Sequence, residues 1–137
     1  MERITVKNTV KAPSKKVWSL WTTPEQIVKW NTPSEDWHTT RAENNLRVGG
    51  TFLSRMEAKD GSFGFDFEGT YDEVVPRERI AYTLGDGRKV EVDFKALDGK
   101  TEIVNTFDAE TQNPIEQQRE GWQAILDSFK TYVETFQ

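Results

Sequence analysis

The chain has no cysteine, which removes disulfides, thiol nucleophiles and thiolate metal sites together. It has a single histidine, His38, so any Ser-His-Asp arrangement must use it. A metal site would be left to carboxylates. Glu57, Asp60, Asp66, Glu68 and Asp72 lack the spacing of a calcium loop, and no metal is expected. Positive charge is also short: 18 Lys and Arg against 23 Asp and Glu give a net charge of −5. Nucleic-acid binding rests on neutralising phosphates, so no nucleic-acid partner is expected. There is no basic run to hold an anionic lipid surface. No apolar run approaches the ~20 residues of a membrane span, so no membrane partner is expected either. The N-terminus enters a strand pattern with no signal peptide before it, and a cytoplasmic location is the expectation. Gly61-Ser62-Phe63-Gly64 and Gly85-Asp86-Gly87 fall between strands. Dinucleotide and phosphate loops lie between a strand and a helix, so those readings fail and no cofactor is expected.

What is present suits one domain over residues 1–137, large enough to bury roughly two thirds of its unfolded surface. Aromatics make up 12%, with five Trp; such residues fill small cores and line ligand cavities. The dominant element is a C-terminal amphipathic helix. Asn113 reads as its N-cap, Pro114 as its first residue and Glu116 as the partner of a capping box. Ile115, Trp122, Ile125, Leu126, Phe129, Val133 and Phe136 recur at helical spacing. The predicted rod is on the order of 34 Å long, and an apolar face of that length needs a large partner surface.

The rest of the chain supplies that surface. Arg3 to Val10 alternates as a half-buried strand. Two short helices follow, one capped by Ser14 with Val17, Leu20 and Trp21 inward, the other from Glu25 to Trp30. Further strands are read at Trp37–Glu43, Thr51–Ala58, Ser62–Val75, Arg79–Leu84, Lys89–Leu97 and Thr101–Phe107. Asp60-Gly61, Asp86-Gly87 and Asp98-Gly99 between alternating runs point to an antiparallel meander. The predicted fold class is α+β: one strand, two short helices, six strands, then the long helix. A sheet of that size with one apolar face must twist and curve. Wrapped round a single helix, it leaves an apolar cavity closed at one end by the short helices.

Several stretches carry a family likeness: Val10-Lys11-Ala12-Pro13 with Val17-Trp18; Thr23-Pro24-Glu25 with Trp30; Leu46-Arg47-Val48-Gly49-Gly50; Gly69-Thr70-Tyr71; Pro76 with Arg79-Ile80 and Tyr82; and Gly121-Trp122 with Leu126. In this order they resemble the START-like (SRPBCC, helix-grip) superfamily, which also contains the birch pollen allergens and polyketide cyclases. Within it the chain looks like the bacterial branch named after the activator of heat-shock protein 90 ATPase. The resemblance implies a curved sheet gripping the C-terminal helix round a ligand-sized cavity. It leaves function open, because the superfamily spans lipid carriers, cyclases, hydrolases and co-chaperones.

Face parity and resemblance together nominate a ligand-binding set: Trp30, Trp37, Ser54, Phe65, Phe67, Tyr82, Asn105 and Trp122, with His38 at the rim. The expected partner is a small hydrophobic molecule of lipid, polyketide or flavonoid type. Asn8 and Glu73 also read as inward-facing polar residues. A buried polar group without a partner costs about 1–3 kcal/mol, so these groups pair with each other or orient a ligand or water. Gly121 costs roughly 1 kcal/mol relative to Ala inside a helix; close approach to the sheet or to the Trp18/Trp21 helix, or a ligand passing there, would account for it. Two alternatives stand beside ligand binding. One is a cyclase- or hydrolase-type enzyme with His38 or Glu73 as acid/base. The other is a chaperone-linked interaction protein, whose sign would be a large exposed apolar patch. Homodimerisation through an edge strand is open.

Overall fold

A computed structural model describes residues 2–135. Strand β1 (Arg3–Val10) leads into helices α1 (Ser14–Thr22) and α2 (Pro24–Trp30). Six strands follow: β2 (Trp37–Asn44), β3 (Thr51–Ala58), β4 (Gly64–Val75), β5 (Arg79–Leu84), β6 (Lys89–Leu97) and β7 (Lys100–Asp108). The long helix α3 (Ile115–Thr135) ends the described chain; Phe136, read above as the last apolar helix position, lies outside it. All seven strands form one antiparallel sheet in the order β1-β7-β6-β5-β4-β3-β2. This is the α+β helix-grip architecture that the sequence predicts.

The meander follows from its turns. The glycines of the three Asp-Gly pairs, Gly61, Gly87 and Gly99, all have positive φ, a conformation that other residues enter only at a cost. Between β2 and β3 the chain turns through Gly49 and Gly50. The Gly49 N–H donates to the Tyr71 carbonyl, and the Tyr71 N–H donates to the Gly50 carbonyl, so this loop is stitched to β4.

The inner face of β1, β7 and β6 carries Ile4, Val6, Val10, Ile103, Phe107, Val90, Val92 and Phe94, all buried. Leu126, Phe129 and Val133 of α3 bury against this core. At one end of the sheet Trp21, Trp30 and Phe129 pack ring on ring, with Trp18 and Trp21 edge-on to Phe94. The Trp30 indole N–H donates to the Leu20 carbonyl at 2.9 Å, locking α2 to α1.

Helix α3 runs along β1, its main strand neighbour. Gln123 donates to the Lys7 carbonyl, Lys130 to the Thr9 carbonyl, and Asn8 to the Leu126 carbonyl. The first two bonds occupy carbonyls of an edge strand that would otherwise offer a template for another chain.

Two caps differ from expectation. Ser14 is the first residue of α1 and makes no side-chain cap bond; the Pro13 carbonyl receives the first helical bonds. Helix α3 begins at Ile115 and the Pro114 carbonyl receives its first bond, so Pro114 is the cap and Asn113 precedes it. The Asn113 N–H is held by the Glu110 carboxylate of the preceding loop, and Glu116 turns to Arg119.

Candidate functional site

Because α3 rests on the β1 side of a curved sheet, it leaves space over the middle strands. That space is a cavity of ≈ 410 Å³, within the ~300–1,000 Å³ of small-molecule sites. Its sheet wall is Phe52, Ser54 and Met56 of β3, Phe65, Phe67 and Tyr71 of β4, Ile80 and Tyr82 of β5 and Asn105 of β7. Trp21, Ile27 and Trp30 close one end. Strand pairing fixes the sheet wall: Ser54 faces Phe67 and Met56 faces Phe65 across β3 and β4, and Tyr71 faces Tyr82 across β4 and β5. Gly69 lies opposite Phe52, and a Cβ there would come within 2.7 Å of the Thr83 carbonyl oxygen on β5 and 2.9 Å of the Phe52 ring. The missing side chain therefore makes room for the aromatic wall.

The helix wall is a stripe at three- and four-residue spacing: Gln117, Gln118, Gly121, Trp122, Ile125 and Leu126. Trp122 stacks on Phe107 and meets Phe67 edge-on, so it is core on one side and wall on the other. Gly121 is not explained by close packing, one of the two reasons the sequence reading offered. A methyl group there would meet no atom within 4 Å.

The polar groups of the cavity fall into two kinds. Some are tied to the protein. The Tyr71 hydroxyl donates to Asn44 Oδ1 at 2.5 Å, and Asn44 Nδ2 donates to the Thr22 carbonyl. Gln118 receives the Glu110 N–H and donates to the Glu110 and Asn113 carbonyls, clamping the loop before α3. Burial pushes the Tyr71 phenol up to about 12 against the pull of its bond to Asn44, and burial also raises Tyr82. Both phenols are thus uncharged at neutral pH. Asn105 is of the other kind. It is only 6% exposed, it lines the cavity, and its Oδ1 is buried with no hydrogen-bond partner.

Of the nominated residues, Trp30, Ser54, Phe65, Phe67, Tyr82, Asn105 and Trp122 surround this one cavity. Trp37 and His38 do not line it. Trp37 is on the inner parity of Thr39 and Met56, but it lies beyond the cavity at the β3–β4 end, where it packs with Phe63 and Phe65, each ring centroid 6.0 Å away. His38 lies opposite Glu57, on the strand parity that carries Arg55 and Glu57 to the outer face, and it is exposed rather than at the rim. Glu73 is also displaced. A bulge between Tyr71 and Glu73 shifts the register of β4, so Glu73 points outward and pairs with Arg79 at 2.8 Å. Asn8 donates to α3 through Nδ2. Sequence reasoning missed Phe52, Met56, Asn44 and Gln118 as wall residues. Phe52 and Met56 were within reach, because they share the parity of Ser54; nothing in the sequence marks Asn44 as more than a turn residue.

The outer face of the sheet is charged. Arg79 contacts Glu73, Glu91 and Asp93, and Arg3 contacts Glu91 and Asp108. The exposed aromatics Phe63 and Phe65 form one small cluster with Trp37.

The profile of the family described as "Activator of Hsp90 ATPase homolog 1-like protein" matches residues 11–134. The chain belongs to that family. An AHSA1-like protein from Aeromonas hydrophila is 45% identical, with 97% of this chain and 92% of that one covered and a TM-score of 0.91. The protein Chr148 from Cytophaga hutchinsonii is 52% identical, with 96% and 92% covered and a TM-score of 0.84. The Aha1 dimer from Colwellia psychrerythraea shares the fold at 17% identity, with 98% of each chain covered and a TM-score of 0.78. Comparison with curated proteins finds no match. The family is built on a ligand-binding type of domain. Among the described residues no helix is long and apolar enough to cross a membrane.

Proposed function

We propose that this protein binds a small, mainly apolar molecule between the sheet and α3, as a carrier, sensor or sequestering protein. The observation that carries this reading is Gly121. A glycine inside a helix costs about 1 kcal/mol relative to alanine. Here no neighbour requires it, and it sits in the middle of the cavity-lining stripe. Its one structural effect is to widen the cavity. The aromatic wall and the paired polar groups at its ends match the composition of small-molecule sites.

Catalysis has less support. His38 is exposed and outside the cavity, and Glu73 is turned out to Arg79. The Tyr71–Asn44 pair lies within the cavity, but a phenol raised to about 12 is a weak acid/base at neutral pH.

The test is native mass spectrometry of the purified protein against its denatured mass, followed by a thermal-shift screen of fatty acids, flavonoids and polyketide-like aromatics. A co-purifying adduct, or a shift of several degrees from one chemical class, is the expected result. No adduct and no shift from any class would overturn the reading.

A further inference from the structure

Tyr71 and Tyr82 face each other across β4 and β5, and both line the cavity. Their hydroxyls differ. Tyr71 donates to Asn44. The Tyr82 ring is held edge-on by Phe52 and Tyr71, yet its hydroxyl has no hydrogen-bond partner among the described residues. A phenol set in an apolar wall ordinarily finds one. Two further groups of the lining share that state: the Ser54 hydroxyl on β3 and the Asn105 amide on β7, both on buried residues. Asn105 turns its Oδ1 into the protein, where it has almost no accessible surface, so the atom it shows the cavity is Nδ2. Tyr82 stands between the other two, on β5, the middle strand of the seven.

We infer that the ligand of this cavity is an uncharged carbonyl compound whose oxygen accepts a hydrogen bond from the Tyr82 hydroxyl. This rests on the ligand-binding reading above and names the chemical class of the ligand. Hydroxyls can give or receive a hydrogen bond, but an amide nitrogen only gives, so only an acceptor suits all three groups. A carbonyl oxygen has two lone pairs and brings no donor of its own. A ligand hydroxyl, or a water, would bring in a donor. The side-chain acceptors Asn44 Oδ1 and Gln118 Oε1 are already taken by Tyr71 and by the Glu110 N–H. The absence of charge follows from the ionisable groups of the lining. Its guanidinium, Arg88, is paired with Asp86, and Glu43 and Glu110 are of the opposite sign. A carboxylate drawn in among them would be desolvated without a free counter-charge.

The experiment titrates benzophenone, diphenylmethane and diphenylmethanol into the unmodified protein and into Tyr82→Phe, which removes one hydroxyl and keeps the ring. The affinity of benzophenone relative to diphenylmethane is expected to fall about tenfold in Tyr82→Phe, the size of one net hydrogen bond, while diphenylmethane binds both proteins equally. An unchanged ratio overturns the inference and leaves the cavity reading intact, because the hydrocarbon still binds. Tighter binding of diphenylmethanol than of benzophenone to the unmodified protein also overturns it, since the cavity would then be answering a donor. The infrared carbonyl band of bound benzophenone is a second readout that needs no variant, and it decides if Tyr82→Phe fails to fold. It is expected at lower wavenumber than in hexane, as for a hydrogen-bonded ketone; a band at the hexane position overturns the inference. Binding by none of the three compounds overturns both this inference and, for aromatic ligands, the reading beneath it.

Discussion

The indole of Trp122 lies flat on the ring of Phe107, with ring centroids 3.9 Å apart and planes within 11°. One residue is on α3 and the other on β7, so this stack sets the height of the helix above the sheet. It also separates core from cavity: Phe107 is fully buried, while Trp122 turns its other side to the empty space. Trp122→Ala should lower stability by about 3–5 kcal/mol, and Trp122→Phe, which keeps a ring for the stack, by less. Equilibrium urea unfolding measures both.

Gly121→Ala should raise stability by up to about 1 kcal/mol, because alanine is the better helix former and its methyl enters open space. The same unfolding measurement checks it. A loss of stability would show that a neighbour does crowd this position.

Gln118 satisfies three backbone groups of the loop before α3. Gln118→Leu keeps the bulk and removes all three bonds. It should cost about 1–2 kcal/mol, because these backbone groups are only part-buried and water can replace some of the lost bonds. Amide hydrogen exchange should show the Glu110 N–H losing protection first.

Stability at high pH should depend on Tyr71. Its folded-state pKa is raised to about 12 by burial, above the ordinary phenol value of about 10. Between these values the unfolded chain releases the proton and the folded chain keeps it. The contribution is therefore complete below pH ~10 and is lost as pH rises towards 12. Melting temperature followed from pH 9 to 12 should fall across that window. Tyr71→Phe should flatten part of the fall, with Tyr82, raised in the same direction, supplying more of it.

Most of the fold was legible because local chemistry and global pattern agree. The three Asp-Gly pairs mark hairpins whose glycines adopt positive φ, and alternation in β1, β3 and β6 names their inner faces. What was not legible depends on breaks in alternation or on tertiary neighbours. The bulge at Asp72 sends Glu73 outward. Tyr71 faces in, and Val74 lies opposite the buried Ile80. A three-residue interval between inward residues cannot hold in a regular strand, so counting back from the Pro76 turn would have exposed the bulge. His38 was drawn towards the cavity by its neighbour Trp37, yet successive strand residues point to opposite faces. The cap of α3 was placed one residue early: the Pro114 carbonyl takes the first helical bond, and the Asn113 N–H, just outside the helix, is held by Glu110 of the loop.

The site was partly legible for the same reason. Parity on β3, β4, β5 and β7 placed Ser54, Phe65, Phe67, Tyr82 and Asn105 on one side of the sheet, where the structure gathers them round one cavity. Which of them are already satisfied by protein partners required coordinates. Tyr71 and Gln118 are; Asn105 Oδ1 is not.

The most direct test of the account is a paired titration of the unmodified protein and Gly121→Leu with whichever compound gives the largest thermal shift. A leucine at position 121 starts from a Cβ with open space around it, on the helix stripe that lines the cavity, so its side chain takes up cavity volume. The account predicts saturable binding to the unmodified protein and at least tenfold weaker binding to Gly121→Leu, with the variant's melting temperature equal or higher. Equal affinity in the two proteins would place the ligand elsewhere and contradict the assignment of this cavity as the binding site.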